Sequence, residues 1–141
     1  MILDFWLGRI LQKTELPAMK SISEYRQKFD KVREGCPVRA TLDVIRGRWK
    51  PLILRELRDG TRRFTDLQTA LPDVAAQTLT VQLRQLEADE IITRTIFPEI
   101  PARVEYELSQ YGKTLSKVME EMEAWGERYL QRQQRRGASR C

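Results

Sequence analysis

The apolar periodicity of this chain changes abruptly beside Glu90, and nothing else in it constrains the fold as tightly. Before that point the period is helical: Leu79, Leu83 and Leu86 recur at i, i+4 and i+7, and Val74 and Ala75 continue the stripe. After it the residues are those of strands. Ile91 to Phe97 reads IITRTIF, rich in β-branched side chains, and Val104 to Leu108 alternates as VEYEL. Between them Pro98-Glu99-Ile100-Pro101-Ala102 reads as a loop. The spacing predicts a helix over Val74 to Asp89 that runs directly into a hairpin with a long tip.

The remaining elements follow from their breakers. Ser23 to Glu34 is polar and reads as a short helix. Gly35-Cys36-Pro37 stops it and starts another, since proline at a first helical position lacks only a donor that would go unpaired. Val38, Leu42 and Ile45 share one face of that helix, and Gly47 ends it. A largely buried helix is expected over Arg48 to Arg58, with Pro51 in its first turn and Leu52, Ile53, Leu54 and Leu57 apolar. Asp59-Gly60 ends it, and Thr61 to Phe64 has room for a very short strand. Thr65 is expected to cap a short helix over Asp66 to Ala70. Gln110 to Gln134 reads as one long helix. The order is helix, helix, short strand, helix, helix, hairpin, long helix. That is a winged helix-turn-helix: mainly α with a small β-hairpin, and extra N- and C-terminal helices for dimerisation.

A length of 141 residues suits one compact domain. We place it over 35–130, between an N-terminal arm or extension over 1–34 and a basic, disordered tail over 131–141. Ile2, Leu3, Phe5, Trp6, Leu7, Ile10 and Leu11 crowd the start at partly helical spacing, with no signal-like cleavage site. An arm packing on a partner subunit and an upstream extension with Met19 as the working start both fit. A segment lying on a membrane fits less well, having only Arg9 and Lys13 as bases there.

Composition removes whole classes of chemistry. There is no histidine, hence no imidazole base, ligand or nucleophile partner, and two cysteines cannot complete a zinc site alone. No apolar run approaches the roughly 20 residues of a membrane span. An enzyme, a metal and a cofactor are therefore not expected. The formal charge is +5 and unevenly sorted. Arg39 to Arg63 carries eight bases against three acids, whereas Glu120 to Glu127 carries four acids and no base. A basic stretch points weakly to nucleic acid; an ordinary solvated surface is the alternative.

Cys36-Pro-Val, TLDVIRGRWKPLILREL, GTRRFTDL, LTVQLRQLE and a hairpin ending in RVEYELS closely resemble the HxlR-type family of bacterial transcription regulators. The resemblance spans about Cys36 to Tyr129, in the family's order and spacing. It implies a winged helix-turn-helix acting as a homodimer on two-fold symmetric DNA. Some members repress and some activate, and several sense oxidants or electrophiles through a cysteine at the position of Cys36. Two departures stand out. Ala75 replaces the Ser usual near the start of the recognition helix, removing its cap and a phosphate contact. Glu90 replaces the Gly usual between that helix and the wing, where positive φ is easiest for glycine.

On the helix over Val74 to Asp89, at about 100° per residue, Gln77, Val81 and Arg84 point away from the leucine stripe. Gln can bond adenine, Arg guanine, and Val can touch a thymine methyl, while Thr78 and Thr80 suit phosphate. The alternative is a plain solvated helix face. Arg94 and Arg103 on the wing suit a narrow minor groove, unless Arg103 pairs with Glu99 or Glu105. Arg62 and Arg63 lie near the expected backbone path, at least one of them to bind phosphate, with a structural ion pair the alternative for one, and Arg46, Arg48 and Lys50 are further phosphate candidates. Leu115, Val118, Met122, Trp125 and Tyr129 form a stripe wider than one small domain needs, marking a dimer interface or the seat of the N-terminal segment. Cys36 precedes a helix start with Arg33 and Arg39 nearby, an environment that favours reactive thiolate. A small buried hydrophobe is the other role open to it, and Cys141 is a resolving thiol only if the tail reaches. The partners expected are double-stranded DNA, a second copy of the chain and an oxidant or small-molecule effector, in the cytoplasm. A regulator switched by a ligand with Cys36 inert, and a winged-helix protein-interaction module, are the alternatives.

Overall fold

A computed structural model describes residues 35–138. The arm expected over 1–34, and Cys141 at the other end, lie outside the described residues. Helix α1 spans Pro37–Ile45 and α2 Lys50–Leu57; strand β1 is Arg62–Arg63; α3 is Phe64–Ala70 and α4 Ala76–Ala88. The hairpin follows as β2 (Ile92–Phe97) and β3 (Arg103–Leu108), then α5 (Gln110–Lys113) and α6 (Ser116–Ala138). As far as the hairpin the order of elements is the one expected, and the fold is a winged helix-turn-helix.

The sheet is antiparallel throughout, in the order β1-β3-β2, so β3 is central. Arg94 pairs with Tyr106 and Thr95 with Glu105; on the other side Arg62 meets Tyr106 and Arg63 meets Glu105. Alternation along β3 sends Tyr106 into the core with Ile92 of β2, and turns Arg103, Glu105 and Glu107 to the opposite face. Ile53 and Leu57 of α2, Leu67 of α3 and the Leu79-Leu83-Leu86 stripe of α4 complete that core. Leu83 is 1% exposed, and Leu→Ala at such a site costs about 2–5 kcal/mol.

The link from α4 to the wing forms without glycine. Glu90 takes φ 61°, the Glu90 amide donates to the Glu87 carbonyl at 2.9 Å, and the Ile91 amide donates to the Leu86 carbonyl at 3.0 Å. This is the Schellman closure, with Glu in the left-handed position that glycine usually fills.

Several expectations are corrected. Val38 and Leu42 of α1 are 69% and 55% exposed, leaving only Ile45 of that face buried. Thr65 is not a cap: α3 begins at Phe64, and the Asp66 carboxylate instead accepts the Arg63 amide at 3.0 Å. Lys50 is 1% exposed and cannot reach phosphate from there. The long C-terminal helix is two helices. Ser109 caps α5 by accepting the Gly112 amide, and the break lies at Thr114 and Leu115, where α5 docks on the α4–β2 turn. The tail expected to be disordered from 131 is helical as far as Ala138, its residues exposed throughout.

Candidate nucleic-acid interface

Helix α4 is held by α2 on one side and β2 on another, with α3 preceding it across the Leu71–Ala75 turn. Its first turn is open: Ala75, Ala76 and Gln77 are exposed and Thr78 is half-buried. Further along, the helix is covered on opposing sides. Leu79, Leu83 and Leu86 are buried on one side, Val81 and Ala88 on the other. Two candidates for DNA contact are corrected by this. Val81 is 7% exposed, so its methyls are not presented to a groove. Thr80 is 7% exposed and its hydroxyl donates to the Ala76 carbonyl at 2.9 Å, the back-bond by which threonine satisfies itself inside a helix. One stripe of leucines hid a second stripe, Val81 and Ala88 seven residues apart, which was the available signal for burial on two sides. Arg84 is half-buried rather than fully presented.

The cationic candidates are partnered within the chain. Arg94 Nε stands 3.2 Å from Glu87 Oε2. Arg103 lies between two carboxylates, 3.2 Å from Glu99 Oε1 and 3.3 Å from Glu105 Oε1, with its guanidinium 4.0 Å over the Phe97 ring. Arg63 is exposed, with Nε 3.7 Å from the same Glu105 oxygen. Arg62 is half-buried and donates to the Glu56 carbonyl at 3.3 Å, a structural role. Tyr106, the register partner of Arg94, is buried on the core face of the sheet. Desolvation raises its hydroxyl above the ordinary value of 10.0, with Arg94 opposing, Glu87 adding and Arg84 opposing.

On α6, Val118, Met122, Trp125 and Tyr129 are 38–61% exposed, and Trp125 stacks on Tyr129 at 5.4 Å between ring centroids. Leu115 departs from this stripe, packing instead against the chain's own core. A groove of about 220 Å3 separates α2 from α6, walled by Leu52, Leu54, Leu108, Leu115 and Met119. Arg58, at the C-cap of α2, and Glu123 of α6 form an ion pair at its edge, 3.3 Å apart. Cys36 is exposed and free, and occupies the N-cap of α1. Among the described residues no group of His, Cys, Asp and Glu could hold a metal ion, and no helix is long and apolar enough to cross a membrane.

A family model described as HxlR-like helix-turn-helix matches residues 44–134. The chain belongs to this family. HxlR-like proteins are transcription regulators, and similar chains carry that description. YdeP of Bacillus subtilis strain 168, an uncharacterized HTH-type transcriptional regulator, is 44% identical over 99 residues, 70% of this chain and 77% of its own. Among solved structures, the redox regulator HypR in its reduced form is 41% identical with a TM-score of 0.64, covering 65% of this chain and 91% of that one. Diamide-treated YodB from B. subtilis is 33% identical with a TM-score of 0.57, covering 69% and 97% respectively.

Proposed function

We propose that this HxlR-like chain is a cytoplasmic, sequence-specific DNA-binding regulator, not an enzyme, that works as a homodimer on a two-fold symmetric operator. One observation carries the reading. The open first turn of α4, with Gln77 exposed on it, stands between a supporting helix and a wing, and a helix presented this way fits the major groove. Thr78 and Arg63 flank it as phosphate contacts, and Arg84 reaches a base edge if its side chain extends. The stripe of Val118, Met122, Trp125 and Tyr129 joins two copies so that both recognition helices meet successive turns of one DNA face. The test is binding to a site selected from random duplexes. Gln77→Ala should cost about 1–3 kcal/mol there and relax preference at one base pair per half-site. An equal loss on every sequence makes Gln77 a backbone contact, and binding with no salt dependence favours a protein partner.

Cys36 is the proposed switch. Its exposure at a helix start and the likeness to a redox regulator support this. Diamide should change operator affinity in the wild type and leave Cys36→Ser unchanged; a like response in both makes the thiol structural. The groove between α2 and α6 favours a second reading, in which a small apolar effector sits there and Cys36 is inert. Ligand-dependent stabilisation that persists in Cys36→Ser supports that alternative.

A further inference from the structure

A wing that enters a groove walled by phosphates is ordinarily cationic, and this one is not. Between Ile92 and Leu108 the bases are Arg94 and Arg103, and the acids are Glu99, Glu105 and Glu107. Both arginines are held by carboxylates: Arg94 by Glu87, and Arg103 by Glu99 and Glu105 together. Glu105 is the hub. Its Oε1 is 3.3 Å from Arg103 Nε and 3.7 Å from Arg63 Nε, and its side chain is 21% exposed. The arrangement is set by the sheet. Glu105 lies on central β3, Arg63 is its register partner on β1, and Arg103 is two residues back on the same face. Phe97, the register partner of Arg103, lies beneath its guanidinium and fixes where it stands.

A phosphate that approached Arg103 would compete with Glu99 and Glu105 for its guanidinium. A guanidinium donates to carboxylate and phosphate oxygens alike, so one can replace the other. Partly exposed ion pairs contribute only about 0–1 kcal/mol, so a seated wing exchanges them at little cost. In the absence of DNA each arginine of this cluster stands beside a carboxylate.

We propose that Glu105, assisted by Glu99, is a positioning residue that stands in for phosphate. It occupies Arg103 and Arg63 away from the operator and releases them only when the wing is seated, which holds down affinity for DNA at large. The inference rests on the DNA-binding reading and assigns this chain a specificity device: a competing charge against the wrong partner.

The experiment titrates full-length wild type, Glu105→Gln, Glu99→Gln and Glu120→Gln against a random-sequence duplex over a range of salt. Glu120, exposed on α6, is the control for net charge. Glu105→Gln should bind about fivefold more tightly at low salt, the most that an ion pair of this kind withholds. Its dependence on log salt should steepen by about 0.9 for each further phosphate that a released arginine neutralises. Glu99→Gln should move the same way by less, and it keeps the test open if Glu105→Gln does not fold. Equal effects from Glu120→Gln, unchanged binding by both wing variants, or weaker binding by Glu105→Gln overturn the inference while leaving DNA binding intact. Failure of every protein, wild type included, to bind in a salt-dependent way removes the DNA-binding reading and the inference with it.

Discussion

The backbone of Gly112 lies directly against the carbonyl of Ile91, so close that a Cβ on residue 112 would overlap it. The same carbonyl accepts the Ser109 amide at 3.0 Å, and the Ser109 hydroxyl reaches the Glu90 carbonyl at 2.6 Å. Through these contacts the start of α5 is fastened to the turn that joins α4 to β2. Whatever moves α5 is thereby linked to the end of α4 and the start of the hairpin.

Gly112→Ala should therefore destabilise the protein by about 3 kcal/mol, the upper part of the range for overpacked interiors. The obstructing atom is backbone and cannot rotate aside. Urea unfolding followed by tryptophan fluorescence measures this, and a loss below about 0.5 kcal/mol, on the order of an ordinary surface change, would show that α5 shifts freely.

Glu90→Gly should act in the opposite direction. Glu90 holds φ 61°, where a residue with a Cβ loses roughly 1–2 kcal/mol relative to right-handed conformations. Glycine removes that strain but adds freedom to the unfolded chain, so a net gain of about 1 kcal/mol is expected. A destabilised Glu90→Gly protein would mean that the Glu90 side chain makes a compensating contact.

Trp125→Glu and Met122→Glu should each yield monomers or aggregates, and tight operator binding should be lost with the dimer. Sedimentation equilibrium and anisotropy on the same samples check both. A soluble dimer of either variant with wild-type affinity removes α6 from the interface.

Stability should also decline in alkali through Tyr106. Burial raises its hydroxyl above 10.0, so the folded protein keeps a proton that the unfolded chain gives up. The contribution is complete below about pH 10 and is lost as pH rises through the folded value. The melting temperature should fall as pH rises above about 10 in the wild type and fall less in Tyr106→Phe. Parallel declines assign the effect to other groups.

The legible part of the site is the part written in neighbouring residues. Gln77 stands where the helical period puts it, exposed at the start of α4. Val81 and Thr80 do not, because the strong leucine stripe suggests a helix covered on one side, whereas α4 is buried on two. The partners of Arg103 are legible as alternatives, since Glu99 and Glu105 are close in sequence. The share of Glu105 taken by Arg63 is not, because that contact depends on β1 pairing with the central strand.

Local chemistry settled most of the kind and order of the elements: Gly35-Cys36-Pro37, Gly47 and Asp59-Gly60 mark helix boundaries as expected, and the absence of histidine narrows the chemistry at once. The register of three strands, the break at Thr114 and the docking of Gly112 on Ile91 come from groups that are remote along the chain and meet only after collapse. Periodicity reports which residues want to be covered. Which neighbour covers them, and which charge a given arginine finds there, is set by packing, because burial and ion pairing depend on distance in space and not on spacing in sequence.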